Sequence, residues 1–220
     1  MKLIRPSIEF LWMTPAPLST IERAGRTCYK SEDNINAGSA ERFVRMLMKN
    51  GHLAKIEHAS ASYRVICDRG VTHEIVRHRL FSYAQESTRY CNYKGGVTFI
   101  IPPWLADQIK EIENVDFGTA FNTAFNTEGN GSVAWYWGQQ MLWIEHTYIE
   151  LLQNGQTPQQ ARSVLPNALK TEIVITGNLR EWLHFFELRC AKTAHPQMQE
   201  IANMILGDIR GRCAVIFDNI

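Results

Sequence analysis

The sequence predicts an α+β domain, and three observations predict it. Helical-period and strand-like segments are mixed without regular strand-helix alternation, and no internal repeat runs along the chain. Of the 220 residues 45% are hydrophobic, enough for one substantial core.

The elements follow in order. Ser19 with Glu22 three residues on reads as a capping box that opens a helix through "ERAGRTCY". A second helix runs from Ser39 through "AERFVRMLMKN", and Asn50-Gly51 stops it. "ASASYRVICD" alternates small or apolar with polar residues and is rich in strand formers, which suits a strand with one covered face. Asp68, Arg69 and Gly70 make a turn, after which "VTHEIVRHRLF" returns to helical period. "NYKGGVTFIIPPW" carries a short strand closed by two prolines, and a helix follows from about Trp104 to Glu113. "NTEGNGS" is the most linker-like segment, too short to divide the chain into domains.

A long helix then spans Ser132 to Gln153, ended by Asn154-Gly155. Ala134, Trp137, Met141, Ile144, Tyr148 and Leu151 keep a three-four spacing, and Trp135, Leu142 and Ile149 add an adjoining stripe. So wide a stripe serves either a central core element or, in part, a subunit interface. The last third gives a short helix in "TPQQARSVL", a strand in "TEIVITGN", a helix capped by Asn178 with Glu181 three residues on, and a final helix from about Pro196 to Ile209.

Charge and composition exclude several function classes. A net charge of +1 gives no field of the kind that draws polyanions to nucleic-acid binders, so any bound anion must meet a local cluster. The first residues, "MKLIRPSIEFLWMTPAP", lack the unbroken apolar run of a signal peptide, and no later stretch reaches the roughly 18 to 20 apolar residues of a membrane span. A cytoplasmic protein that binds neither membrane nor nucleic acid is expected. Cys28, Cys67, Cys91, Cys190 and Cys213 are odd in number and widely spaced, as suits structural thiols.

One stretch is chemically dense: "HEIVRHRLFSYAQESTRY", residues 73 to 90. It is not a zinc site, because His73 and His78 are five apart and diverge by about 140° on a helix, where zinc needs a spacing of four and about 40°. No metal centre is expected. Gly-x-Ser-x-Gly, G-x-G-x-x-G and Walker loops are absent, so arginines must meet any anion. On a helix, Arg77 and Arg79 diverge by about 200°, which wedges the Arg77-His78-Arg79 triplet between two anionic groups or leaves it on a solvated face paired with Glu74 and Glu86. In extended conformation Gln85, Ser87 and Arg89 would face one way, a row of donors able to grip a phosphate or a carbonyl-rich ring.

Arg77-His78-Arg79, seven residues, then Ser87 resembles the R-H-R-x7-S signature of the flavin-dependent thymidylate synthases. "GHLAKIEH", "ARSVLP" at 161 to 166 and "TGNLREWLHFFELR" at 176 to 189 resemble the family's other binding segments, in the family's order. The resemblance implies a single domain over 1–220, with mixed helices around a mainly antiparallel sheet, that converts deoxyuridine monophosphate (dUMP) to thymidylate. It also implies methylenetetrahydrofolate as one-carbon donor, hydride from FAD that NADPH has reduced, and no cysteine nucleophile. A homotetramer with active sites at subunit interfaces is implied too.

By position, Arg77, His78 and Arg79 match flavin contacts, Arg77 lying also against the nucleotide. Gln85, Glu86, Ser87, Thr88 and Arg89 match the nucleotide-binding loop, with Gln85 beside the cofactor as well, and Arg162 matches a further substrate arginine. Asn178, Leu179, Arg180 and His184 match a flavin segment, and His52 and Glu57 another. Arg189 matches the arginine held against the uracil ring, where a fixed cation favours ionisation of the nitrogen between the two carbonyls and so enriches carbon 5. The plain alternative for Arg189 is a surface ion pair with Glu187 or Glu181.

Ala54, Ala84, Glu74 and His184 depart from the commonest family residues, and each altered hydrogen bond is worth about 1 kcal/mol of affinity. Glu74 stands in the substrate segment, where a carboxylate repels a phosphate unless it accepts from the sugar hydroxyl. Two competing readings are an inactive nucleotide-binding or RNA-binding module and a flavin reductase without a nucleotide substrate.

Overall fold

The structure is a computed structural model that describes all residues except 113, 114 and 116–130. Its strands are β1 (Lys2–Ile4), β2 (Ser7–Met13), β3 (Ser60–Asp68), β4 (Ser82–Gln85), β5 (Thr98–Ile100) and β6 (Lys170–Asn178). Its described α-helices are α1 (Pro17–Thr27), α2 (Ser39–Lys49), α3 (Arg69–Ile75), α4 (Val133–Gln153), α5 (Pro158–Ala161), α6 (Leu179–Arg189) and α7 (Pro196–Phe217). β1 pairs in parallel with β5, Leu3 opposite Phe99, and the larger sheet has the order β2-β3-β6-β4 and is mainly antiparallel, in keeping with the expected α+β class.

The chain forms two compact units, each assembled from three segments. One comprises Met1–Ser7, Ile66–Ile75 and Gln85–Ile173; the other comprises Ile8–Val65, Val76–Ala84 and Val174–Ile220. The first unit is built on Leu3, Val97, Phe99, Ile101, Met141, Leu142, Tyr148 and Leu169, all buried. Helix α4 supplies its longest apolar face, and Ser132 caps it by accepting from the Trp135 N–H at 3.1 Å. Of the expected inner line, Ala134, Met141 and Tyr148 are buried, whereas Trp137, Ile144 and Leu151 are partly covered. Val133, Tyr136 and Trp143 lie on the exposed side, 53 to 68% accessible.

The second unit buries Ile21, Val44, Leu47, Tyr63, Ile175, Trp182, Phe186 and Phe217. Strand β6 alternates buried and half-buried residues along its whole length, the period-two pattern of a strand with one covered face. The Asn178 side chain ends it by accepting from the Glu181 N–H at 2.8 Å, so strand and helix α6 meet at the expected cap.

Several expectations are corrected. Helix α1 starts at Pro17, not at a Ser19 capping box, because proline at the first position presets φ and needs no N–H partner. Glu22 is buried instead and accepts from Arg26 Nε at 2.8 Å and Ser39 Oγ at 2.9 Å. The Asp68-Arg69-Gly70 turn is the start of α3, with Asp68 Oδ1 accepting from the Val71 N–H. From Trp104 onward a single 3₁₀ turn, Pro103–Leu105, replaces the expected helix, and Ile112 exchanges backbone hydrogen bonds with Leu3. Glu113 and most of "NTEGNGS" fall outside the described residues. Helix α7 runs past Ile209 to Phe217, because Cys213, Ile216 and Phe217 are buried, with a non-helical residue at Cys213.

Candidate functional site

Helix α3 stops at Ile75, so Arg77-His78-Arg79 lies in the following turn and not on a helix. The β-branched run Val71, Thr72, Ile75 and Val76 favours helix weakly, and the next turn closes instead with the Phe81 N–H donating to the His78 carbonyl at 3.2 Å. Tyr83 Oη donates to the same carbonyl at 2.6 Å. Arg77 and Arg79 are exposed on either side of a buried His78, so the two arginines still diverge.

His78 is 5% exposed and sits among the rings of Phe81, His184 and Phe185, with centroids 5.0 to 6.2 Å away. Arg189 Nε donates to its Nε2 at 2.9 Å, and Glu181 Oε1 lies 3.6 Å from its Nδ1. Burial first, then the Arg189 and His184 charges, push its pKa down to about 4. The imidazole is therefore neutral at pH 7.

A stability prediction follows from this depressed value. The unfolded chain binds the proton at the ordinary value, so the contribution of His78 is complete above about pH 6.5 and is lost as pH falls toward about 4. The loss is on the order of 3 kcal/mol. Urea unfolding across that window should show the decline in the wild type and a flatter acid limb in His78→Gln; parallel curves would refute it.

In the second unit a cleft of about 850 Å³ is lined by Glu57, Asn178, Arg180 and His184, with Met48, Leu53, Leu80 and Leu183 as apolar wall. Its volume lies in the range of cofactor sites, about 300 to 1,000 Å³. Arg180 Nη1 contacts Glu57 Oε1 at 2.5 Å, both half exposed. Leu179 does not line the cleft; it is fully buried and its N–H donates to the Ala59 carbonyl. His52 lines a smaller cleft of about 330 Å³ with Tyr29, Ala54, Lys55 and Arg180.

In the first unit Thr88 and Arg162 line a cleft of about 490 Å³ together with Arg69, His73, Gln159 and Asn167, which the sequence did not single out for function. Arg162 Nη1 donates to Thr88 Oγ1 at 3.2 Å, and Arg89 Nε donates to Gln159 Oε1 at 3.3 Å. Arg69 buries Nη1 without a hydrogen-bond partner. A lone guanidinium nitrogen of this kind suits an anionic guest.

The expected extended row is not kept, because β4 ends at Gln85 and residues 88–90 turn. The Tyr90 and Cys91 N–H groups donate to the Ser87 carbonyl. Gln85 Nε2 instead donates to Thr72 and Thr171, and the Glu86 carboxylate accepts from Tyr93 Oη at 2.8 Å and Lys170 Nζ at 3.1 Å. Glu74 is half-buried on the last turn of α3 and engaged. Among the described residues no group of three or more His, Cys, Asp or Glu could hold a metal ion, and no helix is long and apolar enough to cross a membrane.

The profile of a family described as "Thymidylate synthase complementing protein" matches residues 9–213. A flavin-dependent thymidylate synthase of Mycobacteroides abscessus is 33% identical over 221 residues, covering 96% of this chain and 83% of that protein. The chain belongs to the flavin-dependent thymidylate synthase family. A flavin-dependent thymidylate synthase of Mycolicibacterium vanbaalenii is 36% identical over 200 residues, 87% of this chain and 75% of that one. Likeness of fold extends to the UMP/dUMP methylase PolB of Streptomyces cacaoi bound with 5-Br dUMP (TM-score 0.78, 24% identity, 99% of this chain and 96% of that chain). It extends also to Thymidylate Synthase X of Helicobacter pylori with FAD and dUMP (TM-score 0.74, 20% identity, 97% and 98%). As a flavin-dependent thymidylate synthase the chain carries its signature split between the units, Arg77-His78-Arg79 in the second and Ser87 in the first.

Proposed function

We propose that the protein is a thymidylate synthase of one functional domain spanning 1–220, which methylates dUMP with methylenetetrahydrofolate as one-carbon donor. The observation that carries this reading is the Arg189 guanidinium, held by the buried His78 of the signature turn at 2.9 Å. Bound FAD, once reduced by NADPH, supplies the hydride that completes the methyl group.

The residues present fit such a flavin. Asn178, Arg180, Glu57 and His184 offer polar partners around a largely apolar wall, and the exposed Arg77 and Arg79 offer cations for an anionic cofactor. The first unit's cleft fits a nucleotide phosphate, met by Arg162, Thr88 and the partnerless nitrogen of Arg69, with Ser87 and Arg89 on the same loop. Arg189 is the cation that would stabilise the charge left when a bound uracil ring nitrogen loses its proton, which makes carbon 5 the nucleophile.

No thiolate is needed. Burial pushes the Cys67 thiol far up and the Cys213 thiol up to about 11, and raises Cys190. The exposed side of α4, with Val133, Tyr136 and Trp143, gives a homotetramer an apolar surface to cover. The cytoplasm is the expected location, and neither membrane nor nucleic acid is an expected partner.

The test is an absorption spectrum after incubation with FAD and gel filtration, followed by an assay of NADPH-dependent conversion of dUMP to thymidylate, with sedimentation for the assembly. Flavin travelling with a tetramer that turns over dUMP is the expected result. A folded protein that binds dUMP but neither retains flavin nor turns over would instead be an inactive nucleotide-binding module.

A further inference from the structure

The ionisable groups around His78 include two to which the proposed function gives no role: Tyr83, whose Oη donates to the His78 carbonyl, and Glu181, which faces the imidazole. Glu181 sits 5% exposed in the first turn of α6, and its N–H is already engaged by the Asn178 cap. Its carboxylate is not turned back on the helix start but lies 3.6 Å from His78 Nδ1.

A guanidinium has donors only, so the 2.9 Å contact from Arg189 Nε requires His78 Nε2 to present its lone pair. A neutral imidazole then carries its proton on Nδ1, the nitrogen that faces Glu181. At 3.6 Å the contact is that of a carboxylate with an N–H dipole rather than a full hydrogen bond, and it favours the same tautomer that Arg189 requires. The opposite tautomer would set Nε2–H against the Arg189 N–H, donor to donor. Phe81, Phe185 and His184 pack edge-on around the imidazole, and Tyr83 holds the His78 carbonyl, so the surroundings favour the ring orientation that presents Nε2 to Arg189.

We infer that Glu181 is a positioning residue that acts through the His78 imidazole to set the orientation of the Arg189 guanidinium. A guanidinium is planar, so fixing Nε fixes the plane in which its other nitrogens lie. The chain Glu181-His78-Arg189 resembles in logic the carboxylate that orients a histidine in other enzymes, except that here the oriented group is a cation aimed at a ring. The inference deepens the proposed function and rests on its reading of Arg189.

The test uses the FAD-loaded protein with 5-fluoro-dUMP, whose ring ionisation is read from the fluorine NMR shift as pH is raised. In the wild type the bound ring should ionise at lower pH than the free nucleotide. Glu181→Leu should raise the bound value by about one unit, a roughly tenfold smaller anionic fraction at a given pH. It should lower kcat by a similar factor with KM for dUMP little changed. Glu181→Gln, which keeps an acceptor for Nδ1–H, should restore both, an effect that a merely structural role would not produce. Glu181→Ala serves where leucine prevents folding. A lowered wild-type value that survives removal of the carboxylate overturns the inference alone, whereas an unshifted wild-type value overturns the reading of Arg189 and the inference with it.

Discussion

Arg189→Ala is expected to lower thymidylate formation by about 10²- to 10³-fold while leaving flavin bound, the loss typical when one fixed donor to a developing charge is removed. The residue ends helix α6 and is half-buried, so its cation works with less water around it than a surface arginine would have. The structural cost should be small by comparison. His78 Nε2 loses one donor, worth about 1 kcal/mol, so melting should fall only a few degrees. Steady-state kcat, flavin absorbance after gel filtration and a thermal melt separate the two effects. Near-normal turnover would remove Arg189 from the chemistry, and loss of flavin would move it to cofactor binding.

Gly177→Ala should have the largest effect on stability. A Cβ at Gly177 would lie 2.1 Å from Phe81 Cδ1 and 2.3 Å from its Cε1, far inside any real contact. The ring cannot easily retreat, because Trp182 and Phe185 hold it at centroid distances of 4.6 and 5.9 Å. Overpacking of this kind costs about 3 kcal/mol, roughly 6 to 12 °C in Tm for a chain of this size. A displaced Phe81 also shifts the turn that carries Arg77-His78-Arg79, so flavin retention should fall with stability. Gly207, exposed on α7 with open space where a Cβ would stand, nothing lying within 4 Å, is the control: alanine there should be neutral or stabilising by up to about 1 kcal/mol. Equal melts for the two variants would refute the packing argument.

Local chemistry made part of this structure legible in the sequence, and long-range packing hid the rest. The cap at Asn178, the Ser132 start of α4 and the strand in "TEIVITGN" are short-range signals, and the structure has each of them. The Ser19 capping box failed because Glu22, which the motif would turn back on Ser19, is spent on Arg26 and Ser39, and Ser39 lies seventeen residues away. The helix through Arg77-His78-Arg79 failed similarly: Tyr83, five residues on, holds the His78 carbonyl that a helix would have used. Arg69 and Asn167 share a cleft across nearly a hundred residues, a proximity that no periodicity announces. The Arg189 partner was legible only in kind. A pair with Glu181 or Glu187 was open, and Arg189 Nε donates to His78, which stands next to Glu181.

The chain passes between its two units at residues 7/8, 65/66, 75/76, 84/85 and 173/174, and four of these crossings fall inside single strands, β2, β3, β4 and β6. No single scission can release either unit intact. A gene fragment ending before residue 173 therefore encodes neither unit's full set of segments, and fragments cut at a crossing would have to restore a broken strand at each crossing except 75/76. The crossing at 84/85 also falls within the seven residues that separate Arg79 from Ser87. That spacing thus acts as a ruler: an inserted or deleted residue would alter the length of chain that links one half of the signature to the other, whatever residue was chosen.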